Sequence, residues 1–228
     1  MKISIITPSF NSSNFIEKNI LSVLNQDYQN FEHLINDNNS TDDTHKILNK
    51  YKHLKTIIEK DEGQSDALNK MLNRLSGDIV GWLNADDFYM TNIFNDIANF
   101  FKNNPKIDAL YGDYNLVNKD GIQTRKIKTL KYKSSLTPYI CFIPSTTFFF
   151  RSELIKNNNI YFEKKYFYMM DKDFYCKISQ KTKKIVKVNK IFANFRIHDQ
   201  AKTAFNLNKK SKKNFYYEGI EILSNYSF

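Results

Sequence analysis

Glycine, proline and cysteine are scarce in this chain of 228 residues, which contains 6, 4 and 2 of them respectively. Neither a G-x-G-x-x-G loop nor a P-loop occurs, so no glycine-rich cradle for phosphates is predicted. The two cysteines, Cys141 and Cys176, have no partner motif and indicate reduced thiols in a cytosolic protein. No Pro/Gly/Ser-rich linker and no internal repeat divides the chain, so we predict a single domain over residues 1–228.

Long hydrophobic runs are also absent from the sequence. The first apolar run, residues 3–6, is interrupted by Ser4 and is too short for a signal peptide or a membrane span. We therefore expect a cytoplasmic protein. The 19 Phe and 14 Tyr provide ample material for a packed core, so disorder is not expected.

Positive charge is in excess, with 34 Lys+Arg against 24 Asp+Glu and a net charge of +10, and the surplus lies beyond Arg125. Such an excess attracts nucleic acid, anionic lipid or a phosphorylated substrate. The basic residues are not interleaved with a recognisable nucleic-acid-binding motif, so nucleic acid is not expected as a partner. Near the C-terminus, four lysines (209, 210, 212 and 213) precede an apolar and aromatic stripe, which fits either a docked terminal helix or a helix on a membrane surface.

The first 90 residues alternate between short apolar strands and amphipathic helices. We predict strands at residues 3–6, 31–35, 55–58 and 79–83, with a helix between each consecutive pair. This β-α-β-α-β-α-β order is typical of an α/β fold with a mostly parallel, Rossmann-like sheet flanked by helices. Residues 91–228 have a mixed pattern, so we divide the domain into two halves, 1–90 and 91–228.

The second half begins with a helix after Thr91 and continues with a hairpin whose strands, 109–117 and 122–127, flank an N-K-D-G turn. A strongly apolar strand is predicted at 146–150, followed by a helix that starts near residue 170. A final strand pair is predicted at 185–188 and 191–195.

Polar clusters follow three strands of the predicted parallel sheet, at residues 7–11, at 37–41 and at Asp86 and Asp87. The carboxyl ends of parallel strands share one edge of a sheet, so these clusters should converge on a ligand site. Two adjacent carboxylates repel one another unless a cation compensates them, which favours a divalent metal. An acidic turn that caps a helix is the alternative explanation of this dipeptide.

Two further groups of residues are ambiguous when taken alone. Asp171 and Asp173 stand at the start of a helix, where acids commonly interact with the helix dipole. His198 fits a surface histidine as well as a ligand.

Four segments resemble motifs of the family 2 glycosyltransferases, which have the GT-A fold. Residues 7–11 (TPSFN) are similar to the T-P-[ST]-[YF]-N start of that family, and residues 37–44 (DNNSTDDT) to its D-[DG]-[GN]-S-T-D-G-T segment. Residues 63–70 (GQSDALNK) and 77–87 (GDIVGWLNADD) match a bacterial branch that has G-Q-S-D-A-L-N-K and W-L-N-S-D-D. The order and spacing of these segments extend the resemblance over nearly the whole chain.

The resemblance implies a nucleoside diphosphate sugar donor, a divalent metal (Mn²⁺ or Mg²⁺) and transfer to an acceptor hydroxyl with inversion. It places the base and ribose against residues of the first half. The donor-binding residues implied in this way are Thr7, Pro8, Phe10, Asp37, Asn38 and Asp66.

The same resemblance assigns the acidic turn to the metal. Asn84, Ala85 and Asp86 occupy the place of the D-x-D of the family, which makes Asp86 a metal ligand. Asn84 would accept a hydrogen bond from a ribose hydroxyl, but its amide cannot neutralise a cation. Asp87 would bind the sugar or orient Asp86.

In the second half, Asp171 lies where the family has E-D, which implies that it is the general base, while Asp173 caps the helix or orients Asp171. Residues 196–203 (RIHDQAKT) are similar to F-R-x-H-x-x-S-K-T, with Ala201 in place of Ser. His198 and Lys202 would therefore close over the diphosphate, with His198 as a second metal ligand.

The resulting prediction is an inverting, metal-dependent glycosyltransferase that uses a UDP-sugar and a glycan or lipid-linked acceptor in bacterial surface polysaccharide or glycoconjugate assembly. We also predict that the basic tail contacts the inner face of the cytoplasmic membrane. A nucleotidyltransferase is the first alternative, although it usually needs a glycine-rich loop after the first strand. An inactive family member that acts as a binding or scaffold protein is the second, because Asn84 and Ala201 depart from the family pattern.

Overall fold

The computed structural model describes residues 1–199, 201–202 and 209–226, the last segment without the side chains of residues 209–211. Two sequence predictions therefore fall partly outside the described residues. These are Gln200 and Thr203 of the 196–203 motif, and the side chains of Lys209 and Lys210 in the basic tail.

The first half folds as the alternation of strands and helices predicts. Its elements are β1 (Ile3–Ser9), α1 (Ile16–Leu24), β2 (Phe31–Asp37), α2 (Thr44–Leu48), β3 (Leu54–Ile58), α3 (Gln64–Arg74) and β4 (Ile79–Trp82). Strand β1 pairs in parallel with both β2 and β4, and β2 pairs in parallel with β3. The predicted parallel sheet of this half is therefore confirmed.

The second half extends the same sheet with strands of mixed direction. Its elements are β5 (Phe88–Tyr89), α4 (Phe94–Asn103), β6 (Ala109–Val117), β7 (Gln123–Ile127), β8 (Phe149–Arg151), α5 (Ser152–Asn158), α6 (Met170–Lys181), β9 (Ile185–Arg196) and α7 (Lys209–Tyr226). The strand order is β3-β2-β1-β4-β8-β6-β9-β5, with β7 paired to β6. Strand β8 runs antiparallel to β4 and β6, whereas β9 runs parallel to β6.

One prediction for the second half is wrong. The two strands expected at 185–188 and 191–195 form the single strand β9, which follows β6 over 12 residues. The register against β6 shifts between Tyr111 and Asp113 and again at Tyr114, so the strand absorbs residues 189–190 as an irregularity without turning. The predicted hairpin is confirmed, because β6 and β7 pair antiparallel around Gly121, which has a φ of 82°.

Helices cover both faces of the sheet because side chains alternate along its strands. Ile3 and Ile5 of β1 pack with α4, and Ile6 packs on the opposite face with α3, α5 and α6. Gly81 of β4 lies directly against Phe149, and a Cβ atom there would stand 2.5 Å from the ring. The layers leave the carboxyl ends of β1, β2 and β4 uncovered, and the candidate site lies at this edge.

Helix α7 packs against the start of α6. Ile222 is completely buried, and the Tyr226 hydroxyl donates a hydrogen bond to Asp173 Oδ1 at 2.9 Å. The docked arrangement predicted as one alternative for the tail is thus observed. No helix within the described ranges combines the length and the apolar character that a membrane span requires.

Candidate active site

A cleft of about 770 Å³ opens at the carboxyl ends of β1, β2 and β4. The start of α3, the start of α6 and the segment after β9 complete its wall. Of the residues predicted from the sequence, the structure brings eight to this cleft: Pro8, Phe10, Asn38, Asn84, Asp86, Asp171, His198 and Lys202. Residues from both halves therefore meet at one site, as the shared edge of a parallel sheet requires.

Asp86 and His198 form the pair best suited to a divalent cation. The Nε2 atom of His198 lies 3.0 Å from Asp86 Oδ2, and both side chains remain partly open to the cleft. The ring of Phe15 packs against His198 with a centroid separation of 4.5 Å, and the Arg196 guanidinium donates to the backbone oxygen of Asp86. Carboxylate and imidazole are both common metal ligands.

The donor set fits a metal that shares its coordination with a ligand. No group of three or more His, Cys, Asp or Glu side chains is arranged around a common point in the part of the chain that the structure describes. Asp86 and His198 would hold the cation, and diphosphate oxygens and water would complete its shell, as is usual for Mg²⁺ at phosphate-binding sites.

Asn84 has a different environment from that of a metal ligand. Its Oδ1 atom accepts hydrogen bonds from Trp82 Nε1 and from Gln64 Nε2, each at 2.9 Å. Both lone pairs of this oxygen are therefore engaged within the protein. Gln64 in turn accepts a hydrogen bond from the Lys202 ammonium at 3.0 Å, so Asn84 is linked through Gln64 to a cation that lines the cleft.

Asp87 does not line the cleft, so its surroundings fit the predicted role of orienting Asp86 better than the alternative of binding the sugar. It accepts a hydrogen bond from the Arg196 backbone N–H at 2.8 Å and is only 1% exposed. Burial raises the pKa of this carboxyl well above its usual value, and the neighbouring Asp86 raises the pKa further. Asn19 donates to the backbone oxygens of both Asn84 and Asp87, which fixes the acidic turn from below.

Thr7 and Asp37 are also buried and do not line the cleft, and their donor contacts stay predictions. The Thr7 hydroxyl pairs with His33 Nε2 at 2.9 Å, because its side chain projects into the sheet layer. Asp37 is fully buried and accepts hydrogen bonds from the hydroxyls of Ser9 and Ser40 and one from His45. The carboxylate therefore fixes the loop that carries Asn38.

Asp66 is the fourth predicted donor-binding residue that the structure turns away from the cleft. It accepts a hydrogen bond from the Glu62 backbone N–H and forms ion pairs with Lys164 at 2.6 Å and Lys70 at 3.4 Å. The first turn of α3 directs this side chain outward, while Gln64 and Ala67 of the same helix line the cleft.

Asp171 lies in the first turn of α6 and faces the cleft. Burial raises the pKa of its carboxyl above the usual value, and the hydrogen bond from the Lys172 backbone N–H opposes this effect. The thiol of Cys141 contacts Asp171 Oδ2 at 3.6 Å. Asp173, in contrast, is buried against Tyr226 and Lys177 and does not line the cleft.

Lys202 supplies a cation on the same side of the cleft. Its ammonium lies 4.2 Å from the centroid of the Phe167 ring and 3.6 Å from the Met170 sulfur. Burial lowers the pKa of Lys202 to about 8, although Asp171 and Glu218 act in the opposite direction.

Sequence reasoning missed several residues that line the cleft. Asp61 follows β3 at the same edge of the sheet, where burial raises the pKa of its carboxyl, and its position after a strand could have identified it. Gln64 stands inside a recognised motif but was assigned no role. Phe167 gives no signal in the sequence, because it reaches the site only through the packing of α6 and α7.

The fold is that of the GT-A glycosyltransferases. The truncated TarS of Staphylococcus aureus, solved in complex with UDP, superposes with a TM-score of 0.76 and 24% identity over 99% of this chain and 65% of that chain. A mannosyltransferase from Pyrobaculum calidifontis, in complex with GDP-Man and Mn²⁺, has a TM-score of 0.69 and 17% identity over 96% of this chain and 64% of that chain. At these identities the likeness concerns the fold alone.

The sequence profile described as "Glycosyl transferase family 2" matches residues 4–158. The chain belongs to this family, which confirms the resemblance seen in the motifs.

Among curated relatives, an uncharacterized glycosyltransferase of Haemophilus influenzae is 32% identical over 59% of this chain and 56% of its own length. The poly(ribitol-phosphate) beta-N-acetylglucosaminyltransferase TarS is 28% identical over 71% of this chain and 30% of its own length. WfgD of Escherichia coli, a UDP-Glc:alpha-D-GlcNAc-diphosphoundecaprenol beta-1,3-glucosyltransferase, is 36% identical over 53% of this chain and 48% of its own length. The chain thus spans about half or less of the length of these relatives.

Proposed function

We propose that this protein is an inverting glycosyltransferase that moves a sugar from a UDP-sugar to an acceptor hydroxyl with the help of a divalent cation. One observation carries the proposal. Asp86 and Asp171 are 85 positions apart in the sequence, yet they line the same cleft, the former beside His198 and the latter beside Lys202.

In the proposed reaction Asp171 takes the proton of the acceptor hydroxyl as its oxygen attacks the anomeric carbon of the donor. A bond forms between the acceptor oxygen and this carbon, and the bond from the carbon to the diphosphate oxygen breaks. The electron pair leaves with the nucleoside diphosphate. Attack on the face opposite the leaving group inverts the configuration.

Charge on the departing diphosphate is the main electrostatic problem of this reaction. Asp86 and His198 would hold Mn²⁺ or Mg²⁺, whose positive charge would offset that of the diphosphate. The Lys202 ammonium, held by Gln64 at 3.0 Å, faces the same region and contributes a second positive charge.

The division of labour follows the two halves of the chain. Residues 1–90 would bind the nucleotide through Pro8, Phe10 and Asn38, and residues 91–228 would bind the acceptor near Asp171. Thr7, Asp37, Asp66 and Asp87 would support this site through the hydrogen bonds and ion pairs described above.

The names of relatives support the choice of donor and acceptor. TarS has been solved with UDP-GlcNAc, and WfgD uses UDP-Glc with a lipid diphosphate acceptor. We therefore propose a UDP-hexose or UDP-N-acetylhexosamine as donor, and a glycan or lipid-linked intermediate of bacterial surface polysaccharide as acceptor.

Helix α7 supports a place for this reaction at the inner face of the cytoplasmic membrane. Its docked side carries Ile222, while its outer side exposes Tyr216, Tyr217 and Ile220 next to Lys212 and Lys213. Exposed aromatic residues beside lysines are complementary to an anionic lipid surface. We propose that this side of α7 contacts such a surface and brings a lipid-linked acceptor to the cleft.

The direct test is transfer from a panel of UDP- and GDP-sugars, with Mn²⁺, to lipid-linked acceptors, followed by NMR of the new anomeric centre. The expected product carries an inverted linkage, and UDP is released in equal amount. A retained linkage would contradict the mechanism. Donor binding without transfer to any acceptor would favour the inactive binding protein. Release of pyrophosphate in a separate reaction with UTP and a sugar 1-phosphate would favour the nucleotidyltransferase.

A further inference from the structure

We propose that Glu218 of α7 is a positioning residue, which holds the first turn of α6 and thereby orients Asp171 toward the acceptor. This inference rests on the proposed role of Asp171 as the general base. It assigns a part in the reaction to a residue that lies outside the cleft wall and outside every family motif found in the sequence.

The carboxylate of Glu218 accepts three consecutive backbone hydrogen bonds. One of its oxygens accepts from Phe167 N–H at 3.0 Å, and the other accepts from Tyr168 and Met169 N–H at 2.8 and 2.9 Å. These groups directly precede α6, which begins at Met170. Met169 is the N-cap of α6, so its N–H is one of the groups at the helix start that lack intrahelical partners, whereas Phe167 and Tyr168 precede the helix. A negative charge at this end is favourable for the helix dipole.

Helix α6 has no side chain of its own to perform this task. Met169 occupies the N-cap position, and no side chain at that position caps the helix. The Asp171 carboxylate accepts hydrogen bonds from the Lys172 N–H and from the Cys141 thiol. It therefore accepts none from the N–H groups of residues 167–169. The cap comes instead from a helix that is distant in sequence.

The same helix fixes the turn at two further points. Ile222 is completely buried one turn beyond Glu218, and Tyr226 donates a hydrogen bond to Asp173. Glu218, Ile222 and Tyr226 follow one another at intervals of four residues and therefore lie along one side of α7. This side of α7 contacts residues 167–173, the segment that contains Asp171.

The consequence for the reaction is geometric. A general base must lie within hydrogen-bonding distance of the proton that it removes, and small displacements of such groups lower turnover strongly. Because Phe167 also lies under the Lys202 ammonium, the same cap holds both the base and the ring beneath the neighbouring cation.

The test compares Glu218→Gln with Glu221→Gln as a matched control. Glu221 is on the same helix, but it pairs with the Lys165 side chain and not with the start of α6. We expect Glu218→Gln to lower kcat by about tenfold or more, since Asp171 is displaced, while the Kd for uridine, which probes only the nucleotide half, stays within about twofold. Glu221→Gln should retain wild-type kcat.

A second readout requires no transfer. Cys141 is exposed whereas Cys176 is buried, so a thiol reagent reports on Cys141. Surrounding protein atoms and the adjacent Asp171 carboxylate raise the pKa of the Cys141 thiol well above its usual value. If Glu218→Gln displaces Asp171, this pKa falls and alkylation at about pH 8.5 accelerates by about threefold or more.

Slower turnover together with faster alkylation in Glu218→Gln alone supports the proposal. Wild-type values of both, or equal changes in Glu221→Gln, would overturn it. If Glu218→Gln does not fold, Glu218→Asp, which keeps the charge but shortens the reach, is measured in the same way. If the wild-type protein transfers no sugar, the proposed function fails, while the alkylation rates still decide whether Glu218 positions Asp171.

Discussion

Asn84 marks the clearest departure of this chain from the D-x-D motif of its family. Its amide oxygen is occupied by Trp82 and Gln64, and its amide nitrogen points toward Asp87 Oδ2 at 3.4 Å. An amide suits this position because it both accepts and donates, whereas a carboxylate only accepts. Asn84 thus connects the acidic turn to Gln64 and Lys202.

Replacing Asn84 by Asp should not create a better metal site. The new carboxylate would face the buried Asp87, whose pKa is already raised by burial and by Asp86, and the repulsion should cost about 1–2 kcal/mol of folding stability. We expect a lower Tm and an unchanged Mn²⁺ affinity in the presence of UDP, measured by calorimetry. A tighter Mn²⁺ site in Asn84→Asp would contradict this account.

Asp86 and Asp171 should separate into two roles when they are substituted. If Asp86 holds the cation as proposed, Asp86→Ala should weaken donor binding and turnover together. Asp171→Asn keeps the size of the side chain but removes the base, so donor affinity should persist while kcat falls by roughly two to four orders of magnitude.

The control for this comparison is Asp96→Asn, on the exposed side of α4 and outside the cleft. It loses only an exposed contact with Lys190, so both its Tm and its kcat should be retained. Calorimetry with UDP beside a transfer assay measures all three variants. Near wild-type turnover in Asp171→Asn would remove Asp171 from the mechanism.

The rate should depend on pH through Lys202 and Asp171. Asp171 acts when deprotonated, and burial raises its pKa, so the rate should fall on acidification at a pH above the usual Asp value. Lys202 acts when protonated, and its pKa of about 8 predicts a decline of kcat above pH 8. Lys202→Arg should move this decline of kcat to higher pH. If the decline stays at the same pH in that variant, Lys202 is not the group that causes it.

The effect of Lys202 on stability has the opposite sign. Its pKa in the folded protein is about 8, against the usual 10.5, so between these values the unfolded chain binds more protons at this residue. The free energy of unfolding should therefore rise with pH across this window as the cost of the buried charge disappears.

At the scale of elements, α7 has two sides with different tasks. One side holds residues 167–173 through Glu218 and Tyr226, and the other presents Tyr216, Tyr217 and Ile220 to solvent. The two alternatives predicted for the basic tail are therefore compatible, because docking uses only one side of the helix. The docking is observed, and the membrane contact stays a proposal.

Sedimentation with lipid vesicles tests the outer side of α7. Each lysine near an anionic surface contributes about 1 kcal/mol, so Lys212→Glu with Lys213→Glu should weaken binding to anionic vesicles by about tenfold or more. The double variant Lys102→Glu with Lys106→Glu, at the exposed end of α4, serves as the control for net charge. Equal sedimentation with neutral and anionic vesicles would contradict the membrane contact.

At the scale of the whole molecule, the cleft joins two halves that share one sheet. A donor bound between Asp86 and the loops of the first half should stabilise the entire fold. A ligand at about a hundredfold excess over its Kd adds about 2.7 kcal/mol to the free energy of unfolding.

We expect UDP-sugar to raise Tm in the presence of Mn²⁺ but not with EDTA, because Asp86 and the diphosphate would share the cation. Thermal unfolding with and without the donor measures this difference, and Asp86→Ala should lose the Mn²⁺-dependent shift. An equal rise in Tm in the presence of EDTA would show that no cation links Asp86 to the donor.

The sequence by itself determined the parallel sheet, the family and the position of the acidic turn. Strand and helix periodicity are local properties, and the strand ends that carry Asn38, Asn84 and Asp86 must meet at one edge of a parallel sheet. The hairpin of β6 and β7 was predictable for the same reason, since its N-K-D-G turn is a local signal.

Only the tertiary structure decided which polar residues face the cleft. Thr7, Asp37, Asp66 and Asp87 share motifs with cleft residues, but partners outside the cleft, such as the buried His33 and the exposed Lys164, hold their side chains away from it. A residue's direction at a strand end depends on partners far away in the sequence, and buried polar groups must find such partners. The hydrogen bonds from Glu218 to the start of α6 arise in the same way. They form only when α6 and α7 pack together, so neither helix predicts them from its own sequence.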